Sequence, residues 1–149
     1  MVLKKFNYYL NEGIIKKHRT DMLRAKSLIE EAGKRKLFLN EMTNKIGISE
    51  ENANYFVEHS YDVIMELIRA KLLIDGFKSI GLYAHEAEVA YLRDINFSET
   101  DVIFIDELRY FRNGIIYYGK KLNKKYAEIV VDFLENKYPE LKKLFKDLE

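Results

Sequence analysis

The feature that most constrains the fold is a long stretch of helical periodicity that follows Ser49 and ends near Gly76. Its apolar residues recur at intervals of three and four, which places them on one side of an α-helix. Ser49 is a good N-cap, because its hydroxyl can accept a hydrogen bond from a free N–H group of the first turn. We expect this helix to be the spine of the fold. Its predicted buried face consists of Ala53, Phe56, Val57, Ser60, Ile64, Leu67, Ile68 and Leu72.

The rest of the chain has the same helical spacing and lacks the alternating pattern of strands. Residues 3–12 and 37–48 give no clear signal. Proline occurs once and no linker-like segment is present, so the 149 residues are expected to form a single domain over 1–149. The predicted class is all-α, an antiparallel bundle of about five helices. The further helices are predicted at 14–33 (ending near Gly33), 83–95, 100–118 (capped by Ser98, ending at Gly119) and 123–139 (ending at Pro139), followed by a short terminal helix.

Composition excludes several classes of function. The chain has no cysteine, which rules out disulfides, thiolate catalysis and Cys-based zinc sites. A net charge of +1 predicts no broad nucleic-acid-binding surface, so any basic site is local. No apolar run approaches the roughly 18 to 20 residues that span a bilayer, and we expect a cytoplasmic protein without membrane contact. Abundant Lys, Glu, Ile and Tyr without Cys, Trp or Gln are typical of a thermophile.

The segment RYFRNGIIYYGK, residues 109–120, carries the residues that point to function. At 100° per residue, its helix has two faces. The predicted core stripe contains Phe104, Leu108, Phe111, Ile115, Tyr118 and Leu122. The opposite face contains Arg109, Asn113, Tyr117 and Lys120, with Arg112 at the border.

This polar face belongs to a local basic patch. Six basic residues and no acidic residue lie between Arg109 and Lys125. Arginine, asparagine and tyrosine together suit a phosphodiester, because they supply a planar fork, an orienting amide and a stacking ring. The alternative is a solvated lysine run that complements the helix dipole. The candidate RNA- or nucleotide-binding residues are Arg109, Arg112, Asn113, Tyr117, Lys120 and Lys121.

Two residues of the same helix suggest contact with a second copy of the chain. Ile116 is apolar yet lies among polar neighbours, and Gly114 sits in mid-helix, where it costs about 0.5 to 1 kcal/mol relative to Ala. A helix-to-helix dimer interface would explain both, through close approach of another backbone at Gly114. The alternative for Gly114 is simple tolerance.

No metal or cofactor is expected. The three histidines, His18, His59 and His85, lie far apart without paired ligand spacing, and a packed or solvated role suits each of them. Glu86 and Glu88 fall on different helix faces and do not form a carboxylate pair. Neither a phosphate-binding loop nor a serine nucleophile elbow is present.

The chain resembles the HEPN domains, small all-α proteins, over about residues 14–138. The resemblance rests on EEAGKRK in the first helix, on AKLLIDGFKSIGLYAHEAEVAYL after the second, and on LRYFRNGIIYYG. Catalytic members carry an Arg followed by a polar residue, and four residues separate the Arg from a His. The resemblance implies a homodimer that cleaves RNA without metal in a cleft between protomers, where the Arg stabilises the transition state and the His transfers protons.

This chain departs from that motif at one position. Arg112 and Asn113 match, but Tyr117 stands where the His is expected. A tyrosine with a pKa near 10 is a poor base at neutral pH, so with Arg112, Asn113 and Tyr117 as the candidate catalytic residues we expect weak ribonuclease activity or none. Relatives of this kind are also toxins paired with a nucleotidyltransferase antitoxin that modifies a tyrosine; Gly119 occupies that position here, so the modification is not carried over.

Three hypotheses therefore stay open. The first is a dimer that binds RNA or a nucleotide without efficient cleavage. The second is an active endoribonuclease toxin in which Tyr117 or a residue elsewhere replaces the His. The third is a non-catalytic interaction module, for example the partner of a nucleotidyltransferase.

Overall fold

The computed structural model describes residues 2–148, and within them the fold is an all-α helical bundle with one small sheet. Two strands of three residues form that sheet, and two short 3₁₀ turns complete the chain, at Leu92–Ile95 and Lys146–Leu148. The elements in chain order are α1 (Phe6–Asn11), β1 (Ile15–Lys17), α2 (Met22–Lys45), α3 (Ala53–Ile74), β2 (Phe77–Ser79), α4 (Ala84–Tyr91), α5 (Glu99–Tyr118) and α6 (Lys124–Lys143).

Helix α3 is the spine, as its periodicity predicts. It contacts α2, α4, α5 and α6, and all eight residues of the predicted buried face are buried. Burial of each large apolar side chain among them contributes about 1.5–3 kcal/mol before conformational entropy is counted. Because neighbours surround α3 on several sides, Tyr61, Val63 and Met65 on its other faces are buried too.

The long helices run antiparallel within the pairs α2–α3 and α5–α6. Arg35 of α2 pairs with Asp62 and Glu66 of α3, while Phe38, further along α2, meets the earlier residue His59. The same reversal holds between α5 and α6, where Phe104 stacks on Phe133 at 4.1 Å and Phe111 meets Tyr126 at 5.1 Å. The predicted antiparallel bundle is therefore confirmed.

The start of the first predicted helix is wrong, because residues 15–17 form a strand. β1 pairs antiparallel with β2, with Ile15 opposite Ser79 and Lys17 opposite Phe77. Ile15 is 1% exposed, so it belongs to the core. Its pairing partner lies some sixty residues away, and a local apolar pattern contains no information about such a contact.

Three predicted helix ends are also wrong. α2 continues through Gly33 to Lys45, so the ambiguous segment 37–48 is largely helical. α6 continues through Pro139 to Lys143, because Leu141 and Phe145 beyond the proline are buried in the core. The N-cap of α3 is Asn52 rather than Ser49; the two residues exchange backbone-to-side-chain hydrogen bonds of 2.7 and 3.3 Å just before the helix.

Other signals are confirmed. Ser98 accepts a hydrogen bond from the N–H of Asp101, and Asn123 accepts one from Tyr126, each at the start of its helix. Gly119 ends α5 with φ of 63°, a left-handed conformation that favours glycine. Between residues 2 and 148, no helix is both long enough and apolar enough to cross a bilayer.

Gly33 provides a test of the α2 helix. A Cβ at Gly33 would lie 3.9 Å from the Tyr138 hydroxyl, an ordinary contact, so the site has room for a methyl group. Gly33→Ala should therefore raise the free energy of unfolding by about 0.5–1 kcal/mol, since it restricts the unfolded chain and favours helix. Urea denaturation measures this.

Gly76→Ala is the matched control. Gly76 has φ of +87°, and a Cβ there would lie 3.1 Å from the carbonyl oxygen of His18. This variant should lose about 1 kcal/mol or more. A Gly33→Ala protein that unfolds as early as Gly76→Ala would show that α2 does not continue through Gly33.

Candidate functional site

The inward face of α5 is rotated away from the predicted stripe. The buried apolar side chains are those of Val102, Ile105 and Leu108, and at 100° per residue they lie within about 80° of Arg112. Tyr118, predicted in the core, is 80% exposed, so that prediction is wrong. The phenylalanines of the predicted stripe contact α6 at the edge, whereas the deeper face contacts α3 and α4.

This rotation turns Arg112 toward α3. Its guanidinium carbon lies 5.2 Å from the ring centre of Tyr61, and Nη2 lies 3.8 Å from Oδ1 of Asp62. The Arg112 side chain is 22% exposed, and its Nε is buried without a hydrogen-bond partner among the described residues. A cation held across an aromatic face in this way has a fixed position, with one edge open to solvent.

Arg109 does not join the predicted anion-binding surface. Its Nε donates to Oδ1 of Asp106 at 2.9 Å, and Nη2 lies 3.6 Å from Glu86. Glu86 in turn accepts a hydrogen bond of 2.7 Å from the Tyr9 hydroxyl. The guanidinium thus neutralises a buried carboxylate of α4, and removal of such a partner is destabilising. Arg109 is therefore engaged inside the fold and does not line the cavity that Asn113, Tyr117 and Lys120 share.

Three of the other predicted binding residues lie together at the end of α5, where Asn113 is half-buried and Tyr117 and Lys120 are exposed. Asn113, Tyr117 and Lys120 line a cavity of about 280 Å³ together with Tyr110 and Tyr118. Lys121 follows Lys120 and is exposed. We call the residues Tyr110, Asn113, Tyr117, Tyr118, Lys120 and Lys121 the tyrosine–lysine surface.

The lysines of this surface are anchored by α3. The Asn54 side chain donates to the carbonyl oxygen of Lys120 at 2.9 Å and accepts from the N–H of Leu122 at 2.8 Å. This side chain replaces the backbone partners that the chain loses where α5 ends. The loop therefore keeps a defined position next to the exposed tyrosines.

The predicted dimer residues have different environments. Ile116 is 47% exposed, as an interface residue would be in an isolated chain. Gly114 is buried beneath the Lys120 side chain, where a Cβ would lie 3.3 Å from Cδ of that lysine. The close neighbour of Gly114 in this chain is therefore a side chain of the same protomer; the dimer contact itself stays a prediction.

A second group of polar residues was not predicted from the sequence and lies on the other side of Tyr61. The Tyr61 hydroxyl is 3.3 Å from Nδ1 of His85, and their rings are stacked with centres 6.2 Å apart. Nδ1 of His85 is also 3.7 Å from Oε1 of Glu88. Tyr61 thus connects Arg112 of α5 to His85 and Glu88 of α4.

Glu88 is the most deeply buried carboxylate of the described chain. It is 0% exposed, and Arg69 binds it through two hydrogen bonds of 2.9 and 3.1 Å. The Ser79 hydroxyl donates a third, at 2.7 Å. Glu86 points to Tyr9 and Arg109 instead, which confirms that the two glutamates lie on different faces. A sequence signal for Glu88 existed: a glutamate flanked by small and apolar residues in AHEAEVAYL.

Within residues 2–148, no group of three or more His, Asp or Glu side chains is arranged to hold a metal ion. His59 lies against Phe38 and lines a different cavity from the other two histidines. His18 and His85, far apart in sequence, line the same cavity. The spacing of His18 and His85 along the chain could not show that they lie close together.

The comparisons with known proteins leave the family open. No protein-family model matches this chain, and neither does any of the curated proteins or solved structures with which it was compared.

His85 gives the site a pH dependence. Burial lowers the pKa of His85, the charges of Arg69 and Arg112 act in the same direction, and Glu88 opposes them. Tyr61 and Asp62 are the other titratable groups that face it. In the folded protein His85 should therefore titrate below the ordinary histidine value of roughly 6.5.

The direction in which stability changes with pH follows from proton binding to the folded and unfolded chains. As pH falls, the unfolded chain takes up the proton first, so the contribution of His85 to stability is complete above pH 7 and is lost on acidification. An NMR titration of the His85 ring should have its midpoint below that of a histidine in an unstructured peptide. His85→Gln should lose less stability than wild type between pH 7 and pH 5. A midpoint above the peptide value would contradict the burial of this ring.

Proposed function

We propose that this protein is a HEPN-type helical domain that binds single-stranded RNA or a nucleotide through the tyrosine–lysine surface, without efficient cleavage. The observation that carries the proposal is the exposure of Tyr110, Tyr117 and Tyr118 by 65%, 70% and 80%, next to Lys120 and Lys121. From Phe111 to Lys125 the chain contains no acidic residue that would repel a phosphate.

The chemistry of this surface suits a flexible, unpaired strand. Exposed tyrosine rings stack on bases of any sequence, at about 1–3 kcal/mol per base, and lysines attract the phosphates between them. Asn113 adds an amide that can donate and accept hydrogen bonds. Arg112 contributes positive charge beside the surface, although its guanidinium is directed at Tyr61 and Asp62.

The resemblance to HEPN domains also implies the partners. A homodimer would cover Ile116, which is 47% exposed one turn beyond Arg112. A nucleotidyltransferase antitoxin is the partner expected from toxin–antitoxin pairs of this family. Both remain part of the proposal.

RNA binding is tested by fluorescence anisotropy with a labelled single-stranded RNA of about ten nucleotides. Tyr117→Ala should weaken binding about 5- to 100-fold, since it removes one stacking ring. Lys120→Ala should lower the affinity and reduce the salt dependence, by roughly 0.7 in the slope of log K against log salt for each phosphate contact that is lost.

Tyr55→Ala and Lys26→Ala are matched controls. Tyr55 is 64% exposed on α3 and Lys26 is exposed on α2. The two substitutions therefore remove an exposed tyrosine ring and an exposed lysine charge outside the tyrosine–lysine surface. Both controls should bind RNA like wild type. Equal losses in the controls and the test variants would mean that binding is unspecific, and no saturable binding by wild type would exclude the proposal.

A second candidate is an endoribonuclease in which His85 supplies the missing base. One observation favours it: Tyr61 bridges Arg112 and His85, so the arginine of the motif and a half-exposed histidine belong to one network. A histidine whose pKa is lowered by burial is neutral at pH 7 and can accept a proton.

Cleavage of a mixed RNA pool in EDTA decides between the two. The proposal expects wild type to be nearly inactive and Tyr117→His to gain activity. The second candidate expects cleavage by wild type, lost in His85→Ala and in Arg112→Lys, which keeps the charge but not the planar fork, and unchanged in Tyr117→Phe. Cleavage that survives His85→Ala would exclude His85 as the base.

A further inference from the structure

A cavity of about 480 Å³ is lined by His85 and Glu88 and shares no lining residue with the cavity of the tyrosine–lysine surface. Its walls come from distant parts of the chain, namely the segment after β1, the first turn of α2, the last turns of α3, β2 and the first turns of α4. Its volume falls within the range of sites for small molecules, about 300–1,000 Å³.

The lining of this cavity contains three cationic side chains, Arg24, Arg69 and Lys78, and only two carboxylates. Its two carboxylates already have partners: Glu88 is held by Arg69 and Ser79, and Asp21 accepts a hydrogen bond from the N–H of Arg24 as the N-cap of α2. Among the described residues no carboxylate pairs with the side chains of Arg24 and Lys78, both of which are exposed at the cavity.

The guanidinium of Arg69 also keeps a free hydrogen-bond donor. Its Nε and Nη2 donate to Glu88, while Nη1 has no hydrogen-bond partner within residues 2–148. The side chain is 28% exposed and lines the cavity. Glu88 thus positions the guanidinium and leaves one edge of its fork open for an anion.

Helix α4 adds to this field. It begins at the cavity with Ala84 and His85, and no side chain caps its first N–H groups. The positive end of its dipole and its free donors favour an anion at the same place as the cations. His18 and His85 add ring nitrogens to the polar wall, and Leu72, Leu73 and Phe77 form an apolar one.

We propose that this cavity is a binding site for the phosphate groups of a small molecule, held between Arg24, Arg69 and Lys78. Arg69 is the fixed element, because Glu88 holds it, whereas Arg24 and Lys78 close on the ligand from α2 and β2. The site is distinct from the RNA-binding surface proposed above and does not depend on it.

The test is isothermal titration calorimetry of the full chain at low ionic strength with sodium pyrophosphate, ADP and adenosine as separate titrants. Pyrophosphate should bind saturably with one site per chain. Lys78→Ala and Arg24→Ala should each weaken binding at least fivefold, and the double variant should abolish it. Both positions are exposed, so circular dichroism should show an intact fold.

Two controls separate this site from the other one. Lys26 is exposed on the same helix as Arg24 but does not line the cavity. Lys26→Ala should therefore bind pyrophosphate like wild type. Tyr117→Ala should also keep pyrophosphate binding, whatever happens to its affinity for RNA.

The titrants distinguish the sources of the phosphate. ADP that binds more tightly than pyrophosphate would identify a nucleotide, and equal affinities would identify free polyphosphate; both support the site. Adenosine that binds as well as ADP, no saturable heat with pyrophosphate, or full binding by the Lys78→Ala and Arg24→Ala double variant would overturn it.

Discussion

The interaction on which the packing of α3, β2 and α4 depends is the one between Glu88 and Arg69. A fully buried carboxylate is costly unless it is paired and its lone pairs are satisfied, and here Arg69 and Ser79 supply three hydrogen bonds. These bonds join α3, β2 and α4 at one point. They also orient the guanidinium of Arg69 and place His85 beside Tyr61. Both the cavity and the Tyr61–His85 contact therefore depend on Glu88.

Arginine–carboxylate pairs recur around α3 and α4. Arg35 lies against Glu66, and Arg109 lies near Glu86. Burial raises the pKa of Glu66 although Arg35 opposes it, which shows that desolvation outweighs the pairing there. Such pairs add little net stability compared with apolar packing, but each one is expensive to break from one side. The Arg109–Glu86 pair therefore favours the observed inward faces of α4 and α5, and the Arg35–Glu66 pair favours those of α2 and α3.

On α5, the arginines and the tyrosines therefore lie in different environments. Arg109 and Arg112 face α4 and α3, while Tyr110, Tyr117 and Tyr118 face solvent. In the proposed function, an RNA strand would contact the tyrosines and lysines first, and Arg112 only at the edge. His85 contacts Tyr61 and also lines the cavity at the start of α4.

The sequence by itself determined the helical class, the buried face of α3, and the caps at Ser98, Asn123 and Gly119, because helix periodicity and capping depend on residues within a few positions of one another. It also showed that tyrosines and lysines cluster at the end of α5. Only the tertiary structure decided that Ile15 forms a strand, that α6 continues past Pro139, that Tyr118 is exposed while Arg112 turns inward, and that His18, Arg24, Arg69 and His85 meet at one cavity. Each of these depends on contacts between residues far apart in the chain, whose burial energies outweigh local preference.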